Sequence, residues 1–176
     1  MAVFVQLRYS KIIMDIDRIL RILNAHQVDF ILIGGVNFLL NHVPVLTFDT
    51  DIWFRNSSKN RDCLNRALQE MGAEWGETEN TFRSVPEDPN WLKRQVLFCL
   101  NTRFGALDIM AEVKGLEGRY HECREATTEK QTPAGIAHLS LSDKHMLDCQ
   151  LALEEKDRKL DRIRILRAAI ARRGRP

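Results

Sequence analysis

Thr47-Phe48-Asp49-Thr50-Asp51-Ile52-Trp53-Phe54 sets two aspartates inside a run that otherwise has the composition of a strand. Aspartate is depleted in strands, yet here it follows Val43, Val45 and Leu46 and precedes three large apolar residues. The pattern predicts a strand over 46–54. Residues i and i+2 of a strand project from one face, so both carboxylates reach the same spot. Two like charges in a half-buried place are costly unless a cation or hydrogen-bond donors neutralise them. Hard carboxylate oxygens at this spacing suit Mg²⁺, which needs only one or two protein carboxylates plus substrate phosphates.

Two other stretches share the theme. Gly105-Ala106-Leu107-Asp108-Ile109-Met110 again interrupts an apolar strand with one aspartate. It forms the second arm of an expected hairpin, 95–100 with 105–113, joined across Asn101-Thr102-Arg103. Three carboxylates from two strands of one sheet would converge on a two-metal site. Upstream, Phe30-Ile31-Leu32-Ile33 reads as a buried strand that runs into Gly34-Gly35 and a short helix over 36–40, stopped before Pro44. Two glycines between strand and helix let the backbone approach a phosphate, with helix N–H groups donating to it. Neither G-x-x-x-x-G-K-[ST] nor G-x-G-x-x-G occurs, so P-loop and dinucleotide-binding readings have no support.

The remaining elements follow from periodicity. Ser10 is a candidate cap for a first helix with Ile12, Ile13, Ile16, Ile19, Leu20 and Leu23 at helical spacing. Ser57-Ser58 open a helix striped by Leu64, Ala67, Leu68 and Met71 and ended by Gly72. Residues 73–90 read as weak strand plus loop, and the stretch through Thr132-Pro133 as a polar connection. Ser142 would cap a helix over 143–154, followed by a last helix over 156–172 with Leu160, Ile163, Leu166, Ala169 and Ile170 on one face. The fold class is α/β in the broad α+β sense: a small mixed sheet with flanking helices and a helical C-terminus. Residues 1–135 would form the core, and 136–176 a helical extension packed on the same domain.

Composition narrows the function classes. The chain has 176 residues, 44% hydrophobic and 28% charged, which is enough to bury a core. No apolar run approaches the roughly 20 residues that cross a bilayer, and Met1 to Tyr9 is too short and polar for a signal peptide. Cys63, Cys99, Cys123 and Cys149 are scattered without a zinc-ligand spacing, as expected of reduced thiols in a cytoplasmic protein. The formal net charge of +2 hides a basic tail. Nine Lys or Arg against two Asp stand in 156–176, a pattern that suits RNA or nucleotide phosphates, or a solvated helix face.

Ile31-Leu32-Ile33-Gly34-Gly35, then Thr47-x-Asp49-x-Asp51, then Leu107-Asp108-Ile109 resemble the polymerase-β-like nucleotidyltransferase superfamily. The chain is most similar there to small bacterial members grouped with antibiotic nucleotidyltransferases and the toxins of abortive-infection (toxin-antitoxin-like) systems. The resemblance covers about residues 12–113. More loosely it takes in Leu139-Ser140-Leu141-Ser142-Asp143 and Arg158-x-x-Asp161. It implies the nucleotidyltransferase fold, with Gly34, Gly35 and Thr47 binding the NTP (ATP or GTP). It further implies that Asp49, Asp51 and Asp108 bind Mg²⁺, with Asp108 alternatively accepting a proton. A hydroxyl would attack the α-phosphorus and pyrophosphate would leave. The acceptor could be a small molecule, an RNA or a protein.

Two departures stand out. Relatives often carry an arginine where Val45 stands, and a lysine where this chain has Asp148 or Gln150. Arg55, Lys144 or Arg158 would have to replace those cations. A non-catalytic nucleotide- or RNA-binding module, or a vestigial member, is the alternative reading. His42 and His145 could assist an acceptor or simply cap; Trp53, Trp75 and Trp91 could stack a base or fill the core. Glu112 is left out of the site.

Overall fold

The computed structural model describes residues 14–76 and 81–174; the Ser10 cap, Ile12 and Ile13 lie outside them. Helix α1 (Ile16–Ala25) starts where the Asp15 carboxylate accepts the Arg18 N–H at 2.9 Å. Strand β1 (Phe30–Ile33) runs directly into α2 (Gly34–Asn41), and β2 (Asp49–Phe54) returns antiparallel to β1. β2 starts later than its apolar composition suggests. Leu46 and Phe48 are 78% and 75% exposed and pair with no strand among the described residues. Helix α3 (Ser58–Glu70) has the expected Ser57 cap and ends before Gly72. Two short strands, β3 (Glu74–Trp75) and β4 (Arg83–Ser84), precede the hairpin of β5 (Leu97–Thr102) and β6 (Gly105–Met110).

That hairpin turns two residues later than its pattern suggests. The Thr102 hydroxyl donates to the Gly105 carbonyl at 2.7 Å and accepts the Phe104 N–H, closing a tight turn at Arg103-Phe104. The supposed polar connection is structured: it holds α4 (Tyr120–Glu125) and β7 (Thr128–Gln131), which pairs with β8 (Ala137–Ser140). The sequence of β7, Thr-Glu-Lys-Gln, shows no apolar alternation because it is an edge strand, exposed along most of its length. Helices α5 (Asp143–Ala152) and α6 (Leu160–Arg173) complete the chain.

Among the described residues the mixed sheet has eight strands, in the order β4-β3-β5-β6-β2-β1-β8-β7. β8, past residue 136, pairs in parallel with β1 and so belongs to the sheet. Parity along the strands divides the core in two. On one face Leu32, Ile52, Phe54, Phe98, Leu107 and Ile109 pack with Ile19, Leu20, Leu64 and Leu68 of α1 and α3. On the other Ile31, Ile33 and Trp53 pack with Phe38, Leu141, Met146 and Leu166 under α2, α5 and α6. The second cover stops short, because Leu97 and Cys99 of β5 point to that face and remain exposed. Trp53 and Trp91 are fully buried, and Trp75 packs against Trp91 and Phe98, so the tryptophans are core residues.

Candidate functional site

The site lies at the border between the covered and open parts of the second face. β2 and β6 run in parallel with Asp51 directly opposite Asp108 and Asp49 opposite Ala106. Asp49, Asp51 and Asp108 each present a carboxylate oxygen within 4.8 Å of the other two. The i, i+2 reading of the sequence thus describes the geometry, and Asp108 joins from the neighbouring strand. Ile33 is the register partner of Asp51, so the end of β1 delivers α2 beside the triad.

Gly34 is required twice over at that junction. Its φ is +67°, and a Cβ there would stand 2.0 Å from Asp51 Oδ2. Gly35 has no such φ, but a Cβ would meet Thr47 Oγ1 at 2.5 Å. Within the chain, the neighbour that requires glycine at position 35 is Thr47, and the left-handed turn belongs to Gly34. The Thr47 hydroxyl donates toward Asp49 at 3.2 Å, tying loop, glycines and triad together. The N-cap residue of α2, Ile33, has no side chain that can cap the helix. The Gly35 N–H reaches Asp51 Oδ2 at 3.4 Å, so the first turn of α2 lies beside the triad.

Electrostatics mark the triad as incomplete by itself. The Asp51 carboxyl is pushed up to about 7, by burial first and then by the charges of Asp49 and Asp108. Asp108 is raised by burial and by Asp49, with the Cys99 thiol donating to it in opposition. Carboxylates that cannot all ionise comfortably bind a hard divalent cation well, since the cation removes their repulsion. The donor set fits Mg²⁺: oxygen only, three residues, half-open to incoming ligands.

Two neighbours were not evident from sequence motifs. Cys99, the register partner of Asp108, has its thiol pushed up to about 11, by desolvation and then by Asp108. Arg162 of α6 lies with its guanidinium 5.3 Å from the Phe38 ring centroid. Its Nη2 is 3.7 Å from the position a Gly35 Cβ would take. The available signal was helical spacing: Arg162 stands one turn before the core residue Leu166. A cavity of about 220 Å³ opens between Asp51, Gly34 and Arg162 and runs back among Phe38, Met146 and Leu166.

The residues expected to replace missing cations are used otherwise. Arg55 pairs with Asp29, 3.7 Å away and outside the triad. Arg158 donates to the Leu151 and Leu153 carbonyls at the end of α5. Lys144 is exposed on α5, Val45 packs against the second core, and Asp148 lies 3.9 Å from Arg119. His42 is paired with Asp143 at 2.8 Å, tying the end of α2 to the start of α5, and His145 is bonded to Ser142, the cap of its own helix. Glu112 accepts the Gly118 N–H in a turn.

The chain matches no protein-family model and no curated protein. Among solved structures it is similar to ANT(2'')-Ia in complex with adenylyl-2''-tobramycin. The identity is 15%, the match covers 90% of this chain and 89% of that one, and the TM-score is 0.57. A Thermotoga maritima protein, provisionally described as a nucleotidyltransferase, shares 19% identity over 89% of this chain and 87% of its own, with a TM-score of 0.48. The fold is that of the nucleotidyltransferases. Among the described residues no helix is long and apolar enough to cross a membrane.

Proposed function

We propose that this protein moves a nucleoside monophosphate from an NTP to an acceptor hydroxyl, with Mg²⁺ held by Asp49, Asp51 and Asp108. One observation carries the reading: three mutually repelling carboxylates stand beside the N-terminus of α2, which begins in the left-handed turn of Gly34 and gives only a long 3.4 Å bond to Asp51. Carboxylates and helix N–H groups would repel or ignore each other's ligands if only one charge type were bound. Together they suit a metal-bound phosphate chain. The ANT(2'')-Ia structure with an adenylylated aminoglycoside supports the same product type for one protein of this fold.

In this reading the N–H groups of Gly35 and the next residues of α2 hold the phosphates, and Thr47 keeps Asp49 in place. The apolar cavity takes the base away from water. Bound Mg²⁺ would supply charge neutralisation at the α-phosphorus and lower the pKa of the attacking hydroxyl. Asp108, from the neighbouring strand, completes the metal's ligand set or, in place of that, accepts the hydroxyl proton. The new oxygen–phosphorus bond forms as the bond to the β-phosphate breaks, releasing pyrophosphate.

The test is to incubate the full chain with each α-labelled NTP and Mg²⁺, following pyrophosphate release and the mass of candidate acceptors. Calorimetry of Mg²⁺–NTP binding runs alongside. Binding abolished by Asp49→Asn plus Asp51→Asn is the expected result; unchanged affinity in that double variant would place the site elsewhere.

A further inference from the structure

We infer that Arg162, from the last helix, grips the phosphate chain of the nucleotide and is what makes this site competent without the cations missing at positions 45 and 148. The inference rests on the nucleotidyltransferase reading above and adds a specific residue to it.

Arg162 is half-buried and its guanidinium has no hydrogen-bond acceptor and no ion pair among the described residues. A guanidinium carries five N–H donors, and a desolvated one left without acceptors is unfavourable. Three other arginines of the same tail are engaged, Arg158 with two carbonyls, Arg164 with Asp161 and Arg173 with Asp143, while Arg167 and Arg172 are exposed to water. Arg162 lies over Phe38 instead, in a packing that fixes its stem and aims its tip along α2 toward Gly35.

The second observation is what it does not do. Asp51 is near enough for mutual attraction, yet the two form no salt bridge within 4.0 Å. A fold that needed only internal neutralisation would close that pair. Here Asp51, the most strongly perturbed carboxylate of the triad, and Arg162 both line one cavity without closing on each other. A metal ion on one side and phosphate oxygens on the other complete both sets of contacts. Planar, bidentate contact with phosphate is also what a guanidinium does better than an ammonium.

The placement of Arg162 is fixed from the far end of the helix. Asp143, at the start of α5, pairs with Arg173 near the end of α6 at 3.2 Å and with His42 at the end of α2 at 2.8 Å. That three-way contact ties α6 to the helix that carries Gly35 and Phe38.

The experiment compares AMP, ADP and ATP binding, each with Mg²⁺, in the wild-type full chain, Arg162→Met and Arg162→Lys. Methionine retains an apolar stem over Phe38, so folding is preserved; thermal melting confirms it. In the wild type affinity should rise with phosphate number. Arg162→Met should lose about 10- to 100-fold for ATP while AMP affinity stays within about twofold, and Arg162→Lys should restore part of the loss. Equal losses for AMP and ATP, or an unchanged ratio, would overturn the phosphate grip and leave Arg162 a packing residue. A wild-type chain that binds none of the three would overturn the nucleotidyltransferase reading itself, a distinct outcome.

Discussion

The two faces of one strand behave as different materials. Along β2, Thr50, Ile52 and Phe54 point to a face sealed by α1 and α3, where nearly every partner is apolar and fully buried. Asp49 and Asp51 alternate with them on a face whose helical cover ends before β5. The backbone, register and neighbours are shared, so only parity separates core from chemistry. The sealed face is closed by apolar contacts, with the Thr50 hydroxyl a buried group there without a hydrogen-bond partner, whereas the other leaves three repelling carboxylates and an arginine without an acceptor beside one cavity. That residue of unsatisfied groups is how the structure distinguishes a binding site from a badly packed surface.

The sharpest way to break the contrast is to change the open face alone. Asp49→Asn or Asp51→Asn should reduce nucleotidyl transfer by at least about 10³-fold, roughly 4 kcal/mol of transition-state stabilisation, because a metal ligand is lost. Neither should lower the melting temperature measured without Mg²⁺. A comparable loss of stability would mean that the carboxylates hold the sheet together.

The reciprocal experiment is Ile109→Ala, one residue along β6 from Asp108 and pointing the opposite way. Ile109 is completely buried, and its truncation should destabilise the chain by about 2–5 kcal/mol, read by denaturant unfolding. Mg²⁺–NTP affinity, measured well below the new midpoint, should stay within about threefold. A large loss of affinity would show that the faces are mechanically coupled.

The sequence made this contrast legible to different depths. Asp49, Asp51 and Asp108 stand out because a charge inside an apolar strand violates the composition rule, and strand parity then places them without further information. The strands from Phe30 and from Gly105 and the helix from Ser58 are visible for the same reason: each has its own apolar period and stop signal. What stayed hidden depends on tertiary context. β7 is polar throughout and earns its place only by pairing with β8. Arg162 is one of nine basic residues in a tail; nothing in its local sequence says that Phe38, 124 positions earlier, lies under it. Gly34 and Gly35 read alike as letters, while the structure gives only the first a positive φ and an Asp51 oxygen in the way.

The smallest expected effect is a pH dependence, and its sign follows from Asp51. In the folded chain without metal its carboxyl titrates near 7, against the ordinary 3.8. As pH rises from about 4 to 7, the unfolded chain gives up this proton while the folded chain retains it. The native state then binds more protons than the unfolded state, so stability falls with rising pH across that window and is level above it. A three-unit gap would set a ceiling of about 4 kcal/mol; partial exposure and relaxation around the triad reduce the expected loss to about 1–2 kcal/mol. For a chain of this size that is about 3–6 °C in melting temperature. The other titrating groups are removed by taking the difference between the wild type and Asp51→Asn at each pH. Without Mg²⁺ the wild type should lose ground to the variant between pH 4 and 7. Saturating Mg²⁺ should reverse the trend, because only the ionised triad holds the metal. A flat difference in both conditions would show that the two faces do not differ electrostatically, and that the contrast between them is one of shape alone.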